Sequence, residues 1–530
     1  MVRIAVIQLE ATRDAAQALA SCAALIDRAA LERAAQIVLF PELLLDDDDE
    51  LSATGRLPSM LLERAARHRI WCLGSALHRG LTSSLWAGPD GELSLRACSD
   101  LEQTGAGTFA AEAAILHTPH GKIGLCAGSE SLHFKVTRSL SLAGADMVCI
   151  SLAQRPERDP ALHAPARAAE NQLFLAVAWH ASIGPEPYPL SLPTLPPEAE
   201  LQTERLPISQ IFGPGGHPLA SGEPWVAELD LPGETSETEA REPKLTRRPD
   251  LYRGFPLRRS SRERPLAEVE LEIAALAYSE LGSVSDAIAW AKEHIEELAA
   301  KEVALVVLPE LFCFDPNLTD LHVAAAADFL AVVQALARAC KRTGTHVITT
   351  LVEQVEDEYF HVGVVIGQGG IVLRQAQLHV TEQHAWATPG TRLQTARMPW
   401  GTLGVLVGAD ARVPELLDGL GRSEVELVAA PLSSRSAHMA ALTLAAAADE
   451  AGYAVIAATP PAHGPDAGLT SASFIVDPSR WPLQRASANQ EVLRATLRFQ
   501  AIRDARRVVR QSASESQLRA RTPAPAPAQD

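Results

Sequence analysis

The sequence predicts an α/β protein made of two tandem copies of one unit. Three observations carry that prediction: a β-α-β succession opens the chain, the same succession returns in its second half, and later segments repeat in the same order. At 530 residues the chain exceeds a single core of ~150 residues. Its 47% hydrophobic and 21% charged residues form a globular balance able to fill two sizeable cores.

The opening "VRIAVIQL" (2–9) is a β-branched run, "AAQALASCAALIDRAALERAA" has helical spacing, and "QIVLFPELLL" is a second strand. "VELEIAALAYSE", "SDAIAWAKEHIEELAAKE" and "VALVVLPELFCF" repeat that order. Ala5 matches Ala274 at an offset of 269, and Glu42 matches Glu310 at 268. "HGKIGLCAGSE" (120–130) then matches "WGTLGVLVGAD" (400–410), which pairs Gly128 with Gly408 at an offset of 280 and implies loops of different length. "AGADMVCISLA" pairs with "EVELVAAPLSS", and "ARAAENQLFLAVAWHASIG" with "AAAADEAGYAVIAATPPAHG", each of the last two a helix followed by a strand.

These matches set domains at 1–231 and 269–505. Residues 232–268 lack apolar periodicity and are rich in Pro, Ser and charge, which reads as a connector. A Pro-rich loop occupies 184–207, and 506–530, ending "RTPAPAPAQD", reads as a disordered tail.

A net charge of −18 repels phosphate backbones and anionic lipid heads, so neither nucleic acid nor membrane is expected as a partner. No apolar run approaches the ~20 residues of a bilayer span, and the N-terminus carries charge too early for a signal-peptide core. A cytoplasmic location is expected. The seven cysteines are an odd number without a CxxC pair and read mostly as reduced core fillers.

The ordered motifs resemble the nitrilase, or carbon–nitrogen hydrolase, superfamily. They are "RIAVIQL", the proline–glutamate pairs in "LFPELLL" and "VLPELFCF", "GKIGLCAGSE", "AGADMVCIS", "RAAEN" and "RRPDLY". The resemblance covers nearly all of 2–252 and, more loosely, 270–500. It implies a four-layer α-β-β-α sandwich for each repeat, and packing of the two as a pseudo-dimer. It also implies a cysteine nucleophile, a glutamate base and a lysine that stabilises the tetrahedral intermediate. Attack on an amide or nitrile needs a thiolate, a carboxylate to take its proton, and fixed positive charge where negative charge develops.

Carried onto this chain, the resemblance puts the base at Glu42 and Glu310, each after a strand and a proline. The nucleophile position falls on Gly128 and Gly408, which have no side chain, with the following acid of the motif at Glu130 and Asp410. The lysine position falls on Gln377, two residues before His379, and in the first repeat on Ala97 or Cys98. A second glutamate falls on Glu382 and Glu102.

Cys126, two residues before Gly128, is the alternative nucleophile, and its bland reading is a buried core thiol. Ser129 and Ser131 lack the GxSxG elbow, and His133 and His163 read as solvated or capping residues. A metal held by Glu310, His379, Glu382 and Asp410 is outweighed by a hydrogen-bonded polar pocket, since no HxH or HxxxH pair occurs among them. "DDDDE" (46–50) reads as a solvated acidic loop. Neither cofactor nor metal is expected.

The expectation is a family member without family catalysis that binds a small ligand or serves assembly. The alternatives are an amidase-type hydrolase working through Cys126 or an unrecognised nucleophile, and a structural or regulatory partner of an active paralogue.

Overall fold

A computed structural model describes residues 1–10, 12, 14–45, 54–78, 81–97, 115–152, 159–181, 209–219, 225–231, 248–252, 269–278, 283–314, 320–460, 473–478, 484–485 and 492–509. The chain divides into two compact units, the first mainly Met1–Leu190 with Gln202–Lys244 and the second mainly Leu245–Ala513.

In the first unit one sheet runs in the order Trp225–Leu229, Val2–Val6, Ile37–Leu39, Trp71–His78, Leu81–Ala87, Leu93–Ala97, with Leu43–Leu45 added beside Trp71–His78. The other runs Gln210–Phe212, Phe174–Ala178, Met147–Ser151, Gly121–Ala127, Ile115–Thr118. Strand alternation sorts the core into layers. Val2, Ile4 and Val6 join Ile123, Leu125, Met147 and Cys149 between the sheets. Ala5 and Ile7 face the other way, toward helices Ala15–Arg33 and Arg56–His68. Val148 and Ile150 meet helices Phe134–Leu142 and Pro160–Asn171 on the outer face of the second sheet. The result is α-β-β-α. Side-chain caps set helix starts, Asp14 accepting from the amides of Ala16 and Gln17 and Asp159 from that of Ala161 ahead of Pro160.

The second unit repeats the plan. Its first sheet runs Gly370–Ala376, Glu358–Gly367, His346–Val355, Leu305–Val307, Glu270–Leu276, Val492–Arg498. Its second runs Thr395–Met398, Gly401–Val405, Leu427–Pro431, Ala454–Ala458, Phe474–Val476, Gln484–Arg485. Ile273 and Ala275 point between the sheets while Ala274 and Leu276 point to the helices, the parity of Ile4 and Ala5. Gly124 and Gly404 lie under the leucines of a covering helix: an added Cβ would come within 3.1 Å of Leu140 and 2.7 Å of Leu420.

Three expectations need adjustment. Within 232–268, residues Pro249–Tyr252 form a helical turn of the second unit, where Leu251 is buried with Leu378, Val413 and Leu416. The tail does not begin at 506, because residues 499–509 are helical. Arg506 is buried there and its guanidinium bonds the carbonyls of Gly452 and Val425. Residues 510–530 lie outside the described ones. Finally, helix Leu321–Thr343 is long and apolar enough to cross a membrane. Its Phe329, Val332, Leu336 and Cys340 instead fill the layer against the first sheet of its unit.

Candidate functional site

Both glutamates are placed by the same backbone device. Glu42 follows the strand end at Leu39, and its amide donates to the Leu152 carbonyl just beyond the strand Met147–Ser151 (3.1 Å). Glu310 follows the strand Leu305–Val307, and its amide donates to the Leu432 carbonyl beyond Leu427–Pro431 (3.3 Å). Each carboxyl is thereby tied to both sheets at the carboxyl ends of their strands. Both are buried, and burial lifts each from 4.5 to about 7 against the opposing effect of its hydrogen bonds, from Thr82 on Glu42 and from Ser433 on Glu310.

The two glycines face these carboxyls. A Cβ on Gly408 would stand 3.0 Å from Glu310 Oε1 and 2.9 Å from Gln377 Nε2. One on Gly128 would meet Thr82 Oγ1 at 3.5 Å, and that hydroxyl donates to Glu42 Oε2 at 2.8 Å. So the structure brings Glu310, Gln377 and Gly408 together, and Glu42 and Gly128 through Thr82. Sheet register also orders the ambiguous pair. Ala97 faces Ser83 and Ala376 faces Val362, equivalent places in the two sheets, so the residue matching Gln377 is Cys98. Cys98 and Glu102 lie outside the described residues, as do Asp46–Glu50 and the side chain of Glu130.

Gln377 is held at both ends. Its Nε2 donates to the His379 carbonyl (2.9 Å), which turns its Oε1 toward His361 Nδ1 (2.9 Å). Since that oxygen only accepts, His361 carries its proton on Nδ1 and presents a bare Nε2 to Glu310 Oε1, 3.6 Å away. Burial first, and then the neighbouring His384, push His361 well below its usual range against the opposing effect of its hydrogen bond to Gln377, so the ring meets Glu310 as a neutral imidazole. Burial also lowers His384 to about 4. The two rings meet edge to face at 4.4 Å, with Trp386 beside both.

Asp410 braces the loop behind this group. It is buried and accepts from the amides of Leu378 and His379 (both 2.8 Å) and contacts His379 Nδ1 at 3.0 Å. The other ring nitrogen of His379 meets the Tyr252 hydroxyl at 2.8 Å. Arg248 donates to the carbonyls of Leu378 (3.0 Å) and Gly390 (2.8 Å). The "RRPDLY" segment thus supports the Gln377–His379 turn.

Other expected residues sit elsewhere. Glu382 is exposed, so it does not join Glu310, and the four-residue metal set of Glu310, His379, Glu382 and Asp410 does not assemble. From the same short turn it is His384 that faces inward. Cys126 is buried in the helix-facing layer with Leu132, Val136 and Leu140, its thiol toward the Cys149 carbonyl. Ser131 donates to the Gly128 carbonyl (2.6 Å). His133 caps a helix through the Lys135 amide, whereas His163 is fully buried against Arg167 rather than solvated. Sequence reasoning missed Thr82, His361, His384, Arg248 and Tyr252. The available signal was a lone histidine inside the apolar strand "FHVGVVIG".

A model of the family described as carbon–nitrogen hydrolase matches residues 3–230 and again 272–507. No curated protein matches the sequence. Among solved structures, the chain is similar to a carbon–nitrogen hydrolase from Helicobacter pylori G27, at 19% identity and a TM-score of 0.42, over 45% of this chain and 93% of that one. It is similar to Saccharomyces cerevisiae Nit3, a member of branch 10 of the nitrilase superfamily, at 21% identity and 0.41, over 47% and 97%. An amidase from Nesterenkonia sp. aligns at 19% identity and 0.39, over 46% and 96%.

Proposed function

The chain belongs to the carbon–nitrogen hydrolase family in both its halves, and we propose that neither half performs thiol hydrolysis, while the polar pocket around Glu310 is kept to bind a small ligand. The observation that carries this reading is the pair of glycines. Gly408 directs its missing side chain at Glu310 and Gln377, and Gly128 directs its own at the Thr82 hydroxyl that bonds Glu42. A carboxyl alone takes a proton but forms no acyl intermediate, and the Gln377 amide offers a neutral donor where the reaction needs charge. Loss of one oxyanion donor alone typically costs ~10²–10³-fold in rate.

In this proposal Cys126 does not supply the missing group, because it is buried with Leu132, Val136 and Leu140 in the helix-facing layer. Assembly, by self-association or with an active relative, is the second role in the proposal. Placement in the cytoplasm is part of it too, supported by six buried cysteines that form no disulfide among the described residues.

The test is hydrolysis of amides, nitriles and N-carbamoyl compounds by purified protein stripped of metal with a chelator. No turnover above the blank is expected. Turnover that iodoacetamide or Cys126→Ala abolishes would overturn the reading.

A further inference from the structure

Glu310, His361 and His384 converge on one point in the second unit. Each offers one ligand atom, and the three atoms lie within 4.8 Å of one another, a grouping of three or more such residues found at this place among the described residues. Glu310 Oε1, His361 Nε2 and His384 Nδ1 are all buried without a hydrogen-bond partner. Buried polar atoms are nearly always satisfied, so an orphan on each of three residues grouped this closely points to something that satisfies them together.

The chemistry of those atoms selects the occupant. His361 Nε2 is a lone pair, because its Nδ1 proton is committed to Gln377, whose amide is itself oriented by the His379 carbonyl. A hydrogen bond of this kind on the far ring nitrogen fixes the tautomer of a metal-bound imidazole. Nε2 and Glu310 Oε1 are 3.6 Å apart, too long for a direct bond. Two ligands of one tetrahedral ion with bonds of ~2.0–2.1 Å lie ~3.3–3.4 Å apart, close to that spacing. Two neutral imidazoles and a carboxylate favour zinc-class ions over calcium or magnesium, which prefer all-oxygen sites.

Gly408 puts no side chain against this group. A side chain there would press on Glu310 Oε1 at 3.0 Å. In the first unit the position equivalent to His361 in sheet register is Thr82: Leu77 faces Thr82 as Val352 faces His361. Thr82 satisfies Glu42 with a hydroxyl, so among the described residues the metal set occurs in the second unit.

We propose that Glu310, His361 and His384 bind one divalent transition-metal ion of the zinc class, with a water or ligand atom in the fourth position beside Gly408. The inference rests on reading the Glu310 pocket as a binding site and not a thiol site. Thiol-dependent turnover by metal-free protein would sink that reading by itself, whereas failure to bind metal sinks only this one.

The experiment uses the full chain, stripped with chelator and titrated with Co²⁺ while visible absorption is followed. One equivalent with tetrahedral ligand-field bands, displaced by Zn²⁺, is expected. Removing a group that only hydrogen-bonds a metal ligand costs ~10–100-fold in metal affinity, so His361→Ala and His384→Ala should each weaken binding by at least ~100-fold. Glu42→Gln should leave it unchanged. If either histidine variant fails to fold, anomalous scattering from a cobalt-soaked crystal of the unaltered protein locates the ion. A peak among the three side chains supports the proposal. Absence of uptake at micromolar Co²⁺, or an ion bound elsewhere, overturns it.

Discussion

Gly408 lies hard against Glu310: a Cβ at position 408 would stand 3.0 Å from Glu310 Oε1, and the backbone there has φ +53°. The neighbouring Gln377 cannot retreat freely, since both ends of its amide are hydrogen-bonded. At Gly128 φ is +82°, but the nearest atom, Thr82 Oγ1, is an ordinary 3.5 Å away. Each Gly→Ala change therefore carries a strain of ~1 kcal/mol, and position 408 adds the clash. Gly408→Ala is expected to lower the melting temperature more than Gly128→Ala. Equal losses would mean that the Glu310–Gln377 wall yields without cost.

Glu42 gives a pH signature. Its carboxyl is raised from 4.5 to about 7 by burial. Between those values the unfolded chain has released the proton that the folded protein still holds, so the folded state loses stability as pH rises through the window, by up to ~3 kcal/mol. Glu42→Gln keeps an acceptor for Thr82 and removes the titration. The variant should melt with the unaltered protein below pH 4.5 and several degrees above it at pH 8. Parallel melting curves at every pH would show that Glu42 ionises normally in the fold.

Asp410 accepts from two backbone amides and contacts the His379 ring, all buried. Asp410→Ala strands those groups, at ~1–3 kcal/mol for each one left unpaired, while Asp410→Asn keeps one acceptor oxygen. The alanine variant should be the less stable, with hydrogen exchange quickened at Leu378 and His379. Unchanged exchange at those amides would count against the bracing role.

Arg167 and Glu170 form a buried pair at 2.6 Å in the helix Pro160–Asn171, and Arg167 also donates to the Leu132 carbonyl at 2.8 Å. Arg167→Ala leaves a carboxylate buried without its guanidinium and should cost ~3–5 kcal/mol in urea denaturation. Arg167→Met combined with Glu170→Leu should cost less than the single change, because no charge is then left behind. A double variant worse than the single would place the pair's value in its geometry.

The duplication, the α/β layering and the places of Glu42, Glu310, Gly128 and Gly408 are legible in the order of residues. Those features are written locally, in strand alternation, in the proline–glutamate step and in a glycine at a turn with positive φ. Strand alternation holds at Cys126, which faces the helices as Gly124 does, but it does not carry on to Gly128. The strand ends at Ala127, and Gly128 turns the chain, so two residues that would share a face on one strand point to different layers. That His361 and His384, not Glu382 and His379, close on Glu310 follows from the folded arrangement. Periodicity tells which face a residue takes, but which buried polar atoms meet depends on strands and turns brought together from distant parts of the chain, and on which of them remain unsatisfied once every other bond is made.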